Sequence, residues 1–313
     1  MYLVTGGAGF IGSHLTTALV DRGHEVRVLD NLSTGHRGNL DHLRGKIDLI
    51  EGDLLDRPTV ERALRDVEVV FHQAALASVP RSVAVPLETN AACVTGTVTL
   101  LDAARQSGVR RVVFGGSSSA YGDKTGPEPK RESDLPNPVS PYAAAKLAGE
   151  YYCQAFTATY GLETVVIRYF NVFGPRQDPN SQYSAVIPKF VTAMLAGRRP
   201  TIFGDGLQSR DFTYIDNVVL GNLLAADAPR AVGRTINVAC GRQSDLLQIV
   251  AAINAALGTE IEPQFEPPRA GDVRDSLADV SLARELLDYE PVVDFDEGLR
   301  RSIEYYKLLA NKQ

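Results

Sequence analysis

Tyr142 and Lys146 lie four residues apart in Ser140-Pro141-Tyr142-Ala143-Ala144-Ala145-Lys146, a spacing that sets a phenol one helical turn from a positive charge. Ser140 suits an N-cap and Pro141 the first helical position, so a helix is predicted to begin here with both side chains on one face. A tyrosine normally ionises near pH ~10, and a neighbouring ammonium and a helix N-terminus both favour its anion. Such a phenolate can take a hydroxyl proton at neutral pH, which makes the pair a candidate general base. Ordinary amphipathic helices also carry this spacing, so the surrounding elements must decide.

Those elements begin at once. Tyr2 to Thr5 reads as a short buried strand, and Gly6-Gly7-Ala8-Gly9-Phe10-Ile11-Gly12 leads into an apolar-periodic helix to about Val20. Glycines at Gly6, Gly9 and Gly12 permit a tight turn, close backbone approach to a pyrophosphate at a helix N-terminus, and close packing of helix on strand. A second strand, Val26 to Leu29, ends in Asp30, 18 residues beyond Gly12, followed by Asn31. A carboxylate there accepts from ribose hydroxyls and repels a 2'-phosphate, so NAD is expected rather than NADP. Phe10 and Ile11 are counted with this cofactor site.

Strands and helices then alternate, as in a doubly wound parallel sheet. Ile47 to Glu51 runs into Gly52-Asp53-Leu54, and Val67 to Phe71 into His72-Gln73-Ala74-Ala75. Asp53, Leu54, Ala74 and Ala75 follow strand C-terminal ends, where ligands bind in such sheets; Asp53 could equally cap a turn. A long helix is expected from about Pro86 to Ser107. Val112 to Phe114 then delivers Gly115-Gly116-Ser117-Ser118-Ser119, placing Ser117 across one βα connection from Tyr142, where it can face the same hydroxyl.

Composition agrees with an enzyme of this kind. At 313 residues and 44% hydrophobic the chain can bury a substantial core, and a net charge of -6 argues against a general polyanion or nucleic-acid binder. No run of 18 apolar residues suggests a membrane span, and a strand starting at Tyr2 does not fit a signal peptide, so a cytoplasmic location is expected. Cys93, Cys153 and Cys240 are few and far apart, as for free thiols in a reducing compartment. His14, His24, His36, His42 and His72 show no metal-site spacing, so no metal is expected.

Together, the Gly6 to Gly12 fingerprint, Asp30, the serine strand end and Tyr142/Lys146 resemble the extended short-chain dehydrogenases/reductases of the NAD-dependent epimerase family. The resemblance covers nearly the whole chain. Arg168-Tyr169-Phe170-Asn171-Val172-Phe173-Gly174-Pro175-Arg176, Gly206 to Phe212 and Arg269 to Arg274 are similar to segments of nucleotide-sugar 4-epimerases. Asp30 to Gly35 is typical of those acting on UDP-hexoses, and His72 to Leu76 through Ser119 is closest to those acting on UDP-N-acetylglucosamine. The resemblance implies that Tyr142 takes the sugar O4 proton, Lys146 holds the nicotinamide ribose, and Ser117 shares the O4 hydrogen bond.

It further implies a UDP-sugar site at Asn171, Ala185, Val186, Phe203, Arg210, Arg269 and Asp272, with Ser118 and Ser119 beside the sugar and Gln177 near its N-acetyl region. Dehydratases of the family carry an Asp-Glu pair, and decarboxylating relatives a Glu, where this chain has Ser118 and Ser119. A 4-keto sugar formed here can therefore only take the hydride back, and inverts at C4 if it has turned over. The residue aligned with Ser276 gates the sugar 2-substituent in the family, a bulky Tyr excluding the N-acetyl group. Serine implies that UDP-GlcNAc and UDP-GalNAc enter, with UDP-Glc and UDP-Gal as additional substrates. UDP-glucuronate epimerisation, another nucleotide-sugar modification and a non-enzymatic NAD sensor are the alternatives; an intact Tyr142, Lys146 and Ser117 speaks against the sensor.

The expected architecture is α/β: a Rossmann domain over 1–174, to which part of 212–240 returns, and a smaller mixed α/β domain over 175–313 that binds the nucleotide sugar. Val191 to Gly197, Leu246 to Leu257 and Glu297 to Leu309 look helical; Thr213 to Ile215 and Thr235 to Val238 look like strands. The proline-rich Lys124 to Pro138 segment reads as a mobile flap. Apolar faces around 88–107 and 141–160 correspond to helices that pair in the family's homodimers, so a homodimer is expected by resemblance.

Overall fold

The computed structural model describes residues 1–123, 128–179, 186–268 and 274–311. Its first half alternates β1 (Tyr2–Thr5), α1 (Phe10–Asp21), β2 (Val26–Asp30), β3 (Ile47–Glu51), α2 (Arg57–Ala63), β4 (Val69–His72), α3 (Val79–Ala84), α4 (Pro86–Asn90), α5 (Gly96–Gln106), β5 (Arg111–Ser117), α6 (Pro141–Tyr160) and β6 (Glu163–Tyr169). The second half adds β7 (Val172–Phe173), α7 (Val186–Leu195), β8 (Thr201–Phe203), β9 (Ser209–Arg210), β10 (Thr213–Tyr214), α8 (Ile215–Asp227), β11 (Thr235–Val238), β12 (Ser244–Asp245), α9 (Leu246–Leu257), β13 (Gln264–Glu266), β14 (Asp275–Ser276), α10 (Ser281–Leu287) and α11 (Phe295–Ala310).

Seven strands form one sheet in the order β11-β6-β5-β4-β1-β2-β3, every neighbouring pair parallel. The chain thus runs outward from β1 in one direction, returns, and continues from β4 in the other, leaving a crevice at the strand C-terminal ends where the order reverses. Helices cover both faces, which is why the strands read as continuous apolar runs. Adjacent strand residues feed opposite cores: Leu3, Val70 and Val112 pack with Leu100, Leu101 and Phe156 on one face. Val4, Phe71 and Val113 pack with Leu15 and Leu19 on the other, in a cluster that continues through Ile187, Phe190, Ile202, Ile249 and Leu299 of the second half.

Apart from β11, which returns to the large sheet beside β6, the strands of the second half form small sheets. β9 lies between β12 and β14, β7 pairs with β10, and β8 with β13. Asp245 and Gln248 form a reciprocal capping box that starts α9.

Four expectations need correction. The helix expected over 86–107 is interrupted by a π-helical turn, Ala91–Thr95, between α4 and α5. Next to it the Thr97 hydroxyl donates to the Cys93 carbonyl at 2.7 Å and meets His72 Nε2 at 2.9 Å, which ties the turn to the end of β4. The helix expected from Val191 begins at Val186, because Ile187, Phe190, Val191 and Met194 form one buried stripe. Ile215 starts α8 rather than extending β10.

The expected flap is pinned where it is described, residues 124–127 lying outside the described chain. Lys130 N donates to Leu277 O, Asp279 N to Lys130 O, Asn137 N to Ala120 O and Asn237 N to the Glu132 carboxylate, so its main chain is paired rather than free.

Candidate functional site

The crevice at the reversal point is a cavity of about 470 Å³. Its walls include Gly6, Gly9, Phe10, Ile11, Gly12, Asp30, Asn31, Asp53, Leu54, Ala74 and Ala75, so the structure gathers residues from four strand ends around one space. Gly12 is required by contact: a Cβ there would lie 2.1 Å from the Gly6 carbonyl oxygen. The Asp30 carboxylate accepts from Ala8 N at 2.9 Å and Leu32 N at 2.8 Å, which holds it at the cavity wall with acceptor capacity remaining for a ribose diol. Asp53 caps a turn by accepting from Leu55 N at 2.9 Å, and its other carboxylate oxygen accepts from the Asn31 amide at 2.7 Å in the cavity wall.

These features fit NAD. The glycine turn gives main-chain approach at the N-terminus of α1, and Asp30 stands at the end of β2. Arg81, Glu88, Ala91 and Ala92 also line the space, and sequence reasoning missed them. Their signal is tertiary, since α3, α4 and the π-helical turn fold back over the cavity.

Tyr142 enters on α6 as expected. The Ser140 hydroxyl accepts from Ala143 N at 3.1 Å, and Pro141 occupies the first turn. Ser117, at the last position of β5, hydrogen-bonds the Tyr142 phenol, and its Oγ accepts from Ser119 Oγ at 2.8 Å and Ser119 N at 3.2 Å. Lys146 is 4% exposed; its Nζ donates to Gly115 O at 2.8 Å and lies 4.9 Å from the Phe114 ring centroid.

The electrostatics differ from expectation. Burial pushes the Tyr142 phenol up to about 12, the Cys93 thiol adding to this and Ser117 opposing it. Burial also draws Lys146 below its ordinary value. Residue spacing predicts a lowered phenol, but burial acts against the charged form of both groups.

A second cavity of about 250 Å³ is lined by Asn171, Val186, Phe203 and Arg210, together with Val172, Phe173, Ile187, Thr201, Gln208, Phe212 and Leu246. Arg210 Nη1 donates to Ser209 O and Arg274 O, and Asn171 Nδ2 to Asp211 O at 3.2 Å. Ser276 pairs with Arg210 across β14 and β9 and is buried. Gln177 lies in the loop after β7, donating to Val172 O, while its own carbonyl accepts from Tyr306 of α11. Ser118 and Ser119 form the short turn that follows Ser117, away from this cavity.

Ala185, Arg269 and Asp272 fall outside the described residues. Thr201 and Gln208 were missed; Gln208, a polar residue between the Gly206 turn and Arg210, carried a local signal, and Thr201 none. Asp211 is fully buried and accepts main-chain donors from Cys240, Gly241 and Ala278, drawing two loops to the strand that carries Arg210. Burial pushes its carboxyl up to about 6 against those donors.

Among the described residues there is no cluster of His, Cys, Asp or Glu able to hold a metal, and no helix long and apolar enough to cross a membrane. Cys93 and Cys153 are buried thiols and Cys240 is half-buried.

Residues 2–239 match the model of the NAD dependent epimerase/dehydratase family. Over 310 residues the chain is 42% identical to a UDP-glucose 4-epimerase of Mycolicibacterium smegmatis, covering 97% of this chain and 98% of that protein. Two solved structures superpose with TM-scores of 0.94. A UDP-glucose 4-epimerase of Thermotoga maritima with UDP-glucose is 39% identical and covers 99% of both chains. A UDP-N-acetylglucosamine 4-epimerase of Methanobrevibacter ruminantium in complex with UDP-N-acetylmuramic acid is 41% identical and covers 98% of both.

Proposed function

This chain belongs to the NAD-dependent epimerase/dehydratase family, and we propose that it inverts carbon 4 of UDP-sugars, taking UDP-GlcNAc and UDP-GalNAc as well as UDP-Glc and UDP-Gal. The observation that carries this reading is the meeting of Tyr142, Ser117 and Lys146 at the open ends of β5 and α6. NAD, the family's cofactor, accepts and returns a hydride when bound.

The chain's residues do the rest. Tyr142 takes the O4 proton and later gives one back, and the Ser117 hydroxyl shares the O4 hydrogen bond. Lys146, four residues along the same helix face, holds the cofactor ribose and favours the phenolate while it is charged. Arg210 offers a planar donor fork to the diphosphate, and Asn171, Val186 and Phe203 wall the nucleotide end. Ser118 and Ser119 offer no carboxyl group for an elimination, so an oxidised sugar can leave the site only by being reduced again. Ser276 of β14 is small and pairs in register with Arg210 of β9, which supports an open sugar pocket on the side of the 2-substituent.

The test is to incubate purified protein with UDP-GlcNAc without added cofactor and to separate the products by chromatography. UDP-GalNAc is expected. If none forms even with added NAD, while UDP-Glc gives UDP-Gal, the open-pocket reading falls and C4 inversion stands. No product from either sugar overturns the proposal.

A further inference from the structure

Eight residues beyond Tyr142 and four beyond Lys146, the same face of α6 carries Glu150, which is 0% exposed. It is paired with Arg168 of β6, itself 4% exposed, through Nη2 at 2.7 Å and through Nε at 3.1 and 3.2 Å. An ion pair this deep is costly to desolvate and is weak evidence of stability in itself, so what else it touches matters. The Glu150 carboxylate also accepts from the main-chain N–H of Ser117. Gly116 makes the approach possible, since a Cβ there would lie 2.9 Å from Glu150 Oε1. Arg168 is backed by the Tyr121 ring at 4.5 Å, and the Tyr121 hydroxyl donates to Asn237 at 2.7 Å.

We propose that Glu150 is a positioning residue for proton transfer: it anchors the main chain of Ser117 and supplies the counter-charge that keeps the Lys146 ammonium beside Tyr142, with Arg168 fixing its aim. This rests on the roles given to Tyr142, Ser117 and Lys146 above and extends them one turn along the helix. The groups facing Lys146 are Glu150 and Cys153 from α6, Cys93 from the π-helical turn, His72 from β4 and the Phe114 ring from β5. Of these, only Glu150 is a carboxylate. Those facing the pair are Arg168 with Tyr121 and, beyond them, Glu132. Burial works against charge on both Lys146 and Glu150; Cys93 and then Glu150 oppose that loss at Lys146, and Arg168 opposes it at Glu150.

Two variants of opposite sign test this in the full chain. Glu150→Gln removes the counter-charge, and Arg168→Gln releases Glu150 toward Lys146. The side-chain titration of Lys146, followed by NMR of lysine-labelled protein and assigned by its loss in Lys146→Met, needs no sugar substrate. It should fall by about one pH unit in Glu150→Gln and rise in Arg168→Gln. With UDP-glucose, the alkaline limb of kcat should move the same way in each variant, and Glu150→Gln should lose kcat about tenfold with KM changed less than about threefold.

General loosening of the fold would move both variants in one direction. A common direction, or a Lys146 titration that stays at its native position in whichever variant folds, overturns the proposal. A shifted Lys146 titration with no turnover of UDP-glucose upholds it and counts against the substrate reading alone.

Discussion

The two cavities are built on different principles. The cofactor crevice is assembled mainly from turns that each follow a strand of one parallel sheet, with α3, α4 and the π-helical turn closing over it, so most of its residues are close in sequence to the strand that delivers them. The smaller cavity is assembled from β7, β8, β9, α7 and α9, whose strands are two or three residues long and held by side chains such as Asp211. A long strand positions a turn by its ladder of main-chain bonds. A two-residue strand cannot, and depends on buried polar clasps that must be fully satisfied. The first kind of site should therefore tolerate changes outside its turns, and the second should be sensitive at residues that touch no ligand.

The largest effect should come from Tyr142→Phe, which removes proton transfer while leaving the cofactor crevice intact. Turnover should fall about a thousandfold, with NAD binding by fluorescence titration close to native. Retention of most activity would mean that another group serves as the base.

The pH dependence of stability should separate the two regions by sign. His72, buried at the end of β4, has a folded value near 3, well below its ordinary 6.5, through burial and then the Lys146 charge. The unfolded chain therefore binds the proton first, and the stability contributed by neutral His72 is lost as pH falls below 6.5. Asp211 is displaced the other way, to about 6 from 3.8, so its contribution is present below 3.8 and lost as pH rises through 6. Between pH 4 and 6 the two slopes oppose each other. His72→Gln should remove the cofactor-side slope and Asp211→Asn the sugar-side slope, each by about 2 to 3 kcal/mol across that window. Urea unfolding at several pH values measures this; slopes of like sign in the two variants would end the contrast.

The smallest effect is the most selective. Ser276→Tyr adds a ring at the sugar-side strand and should lower kcat/KM for UDP-GlcNAc about tenfold relative to UDP-Glc, without altering NAD affinity. Equal losses for both sugars would move the gate elsewhere.

The residues also differ in how far their roles could be read in advance. Gly6, Gly9, Gly12, Asp30 and Ala74 were legible because the requirement on each is local: a turn, a helix N-terminus or a strand end. Arg210 and Asn171 were found by resemblance to a longer motif, and Thr201 was not found, because its place in the wall depends on β8 meeting β13 from 60 residues away. Asp211 stands next to Arg210 in sequence and was passed over, since nothing local shows that two distant loops converge on it.

By itself the sequence determined the alternation of strand and helix, the glycine cradle and the phenol-ammonium spacing, because periodicity and short-range sterics settle them within a few residues. Only the tertiary structure decided the direction in which Tyr142 is driven, the π-helical turn beside it and the burial of Glu150 against Arg168. Each of these depends on how much water the packed chain excludes, and on which charges from distant segments share the space that remains.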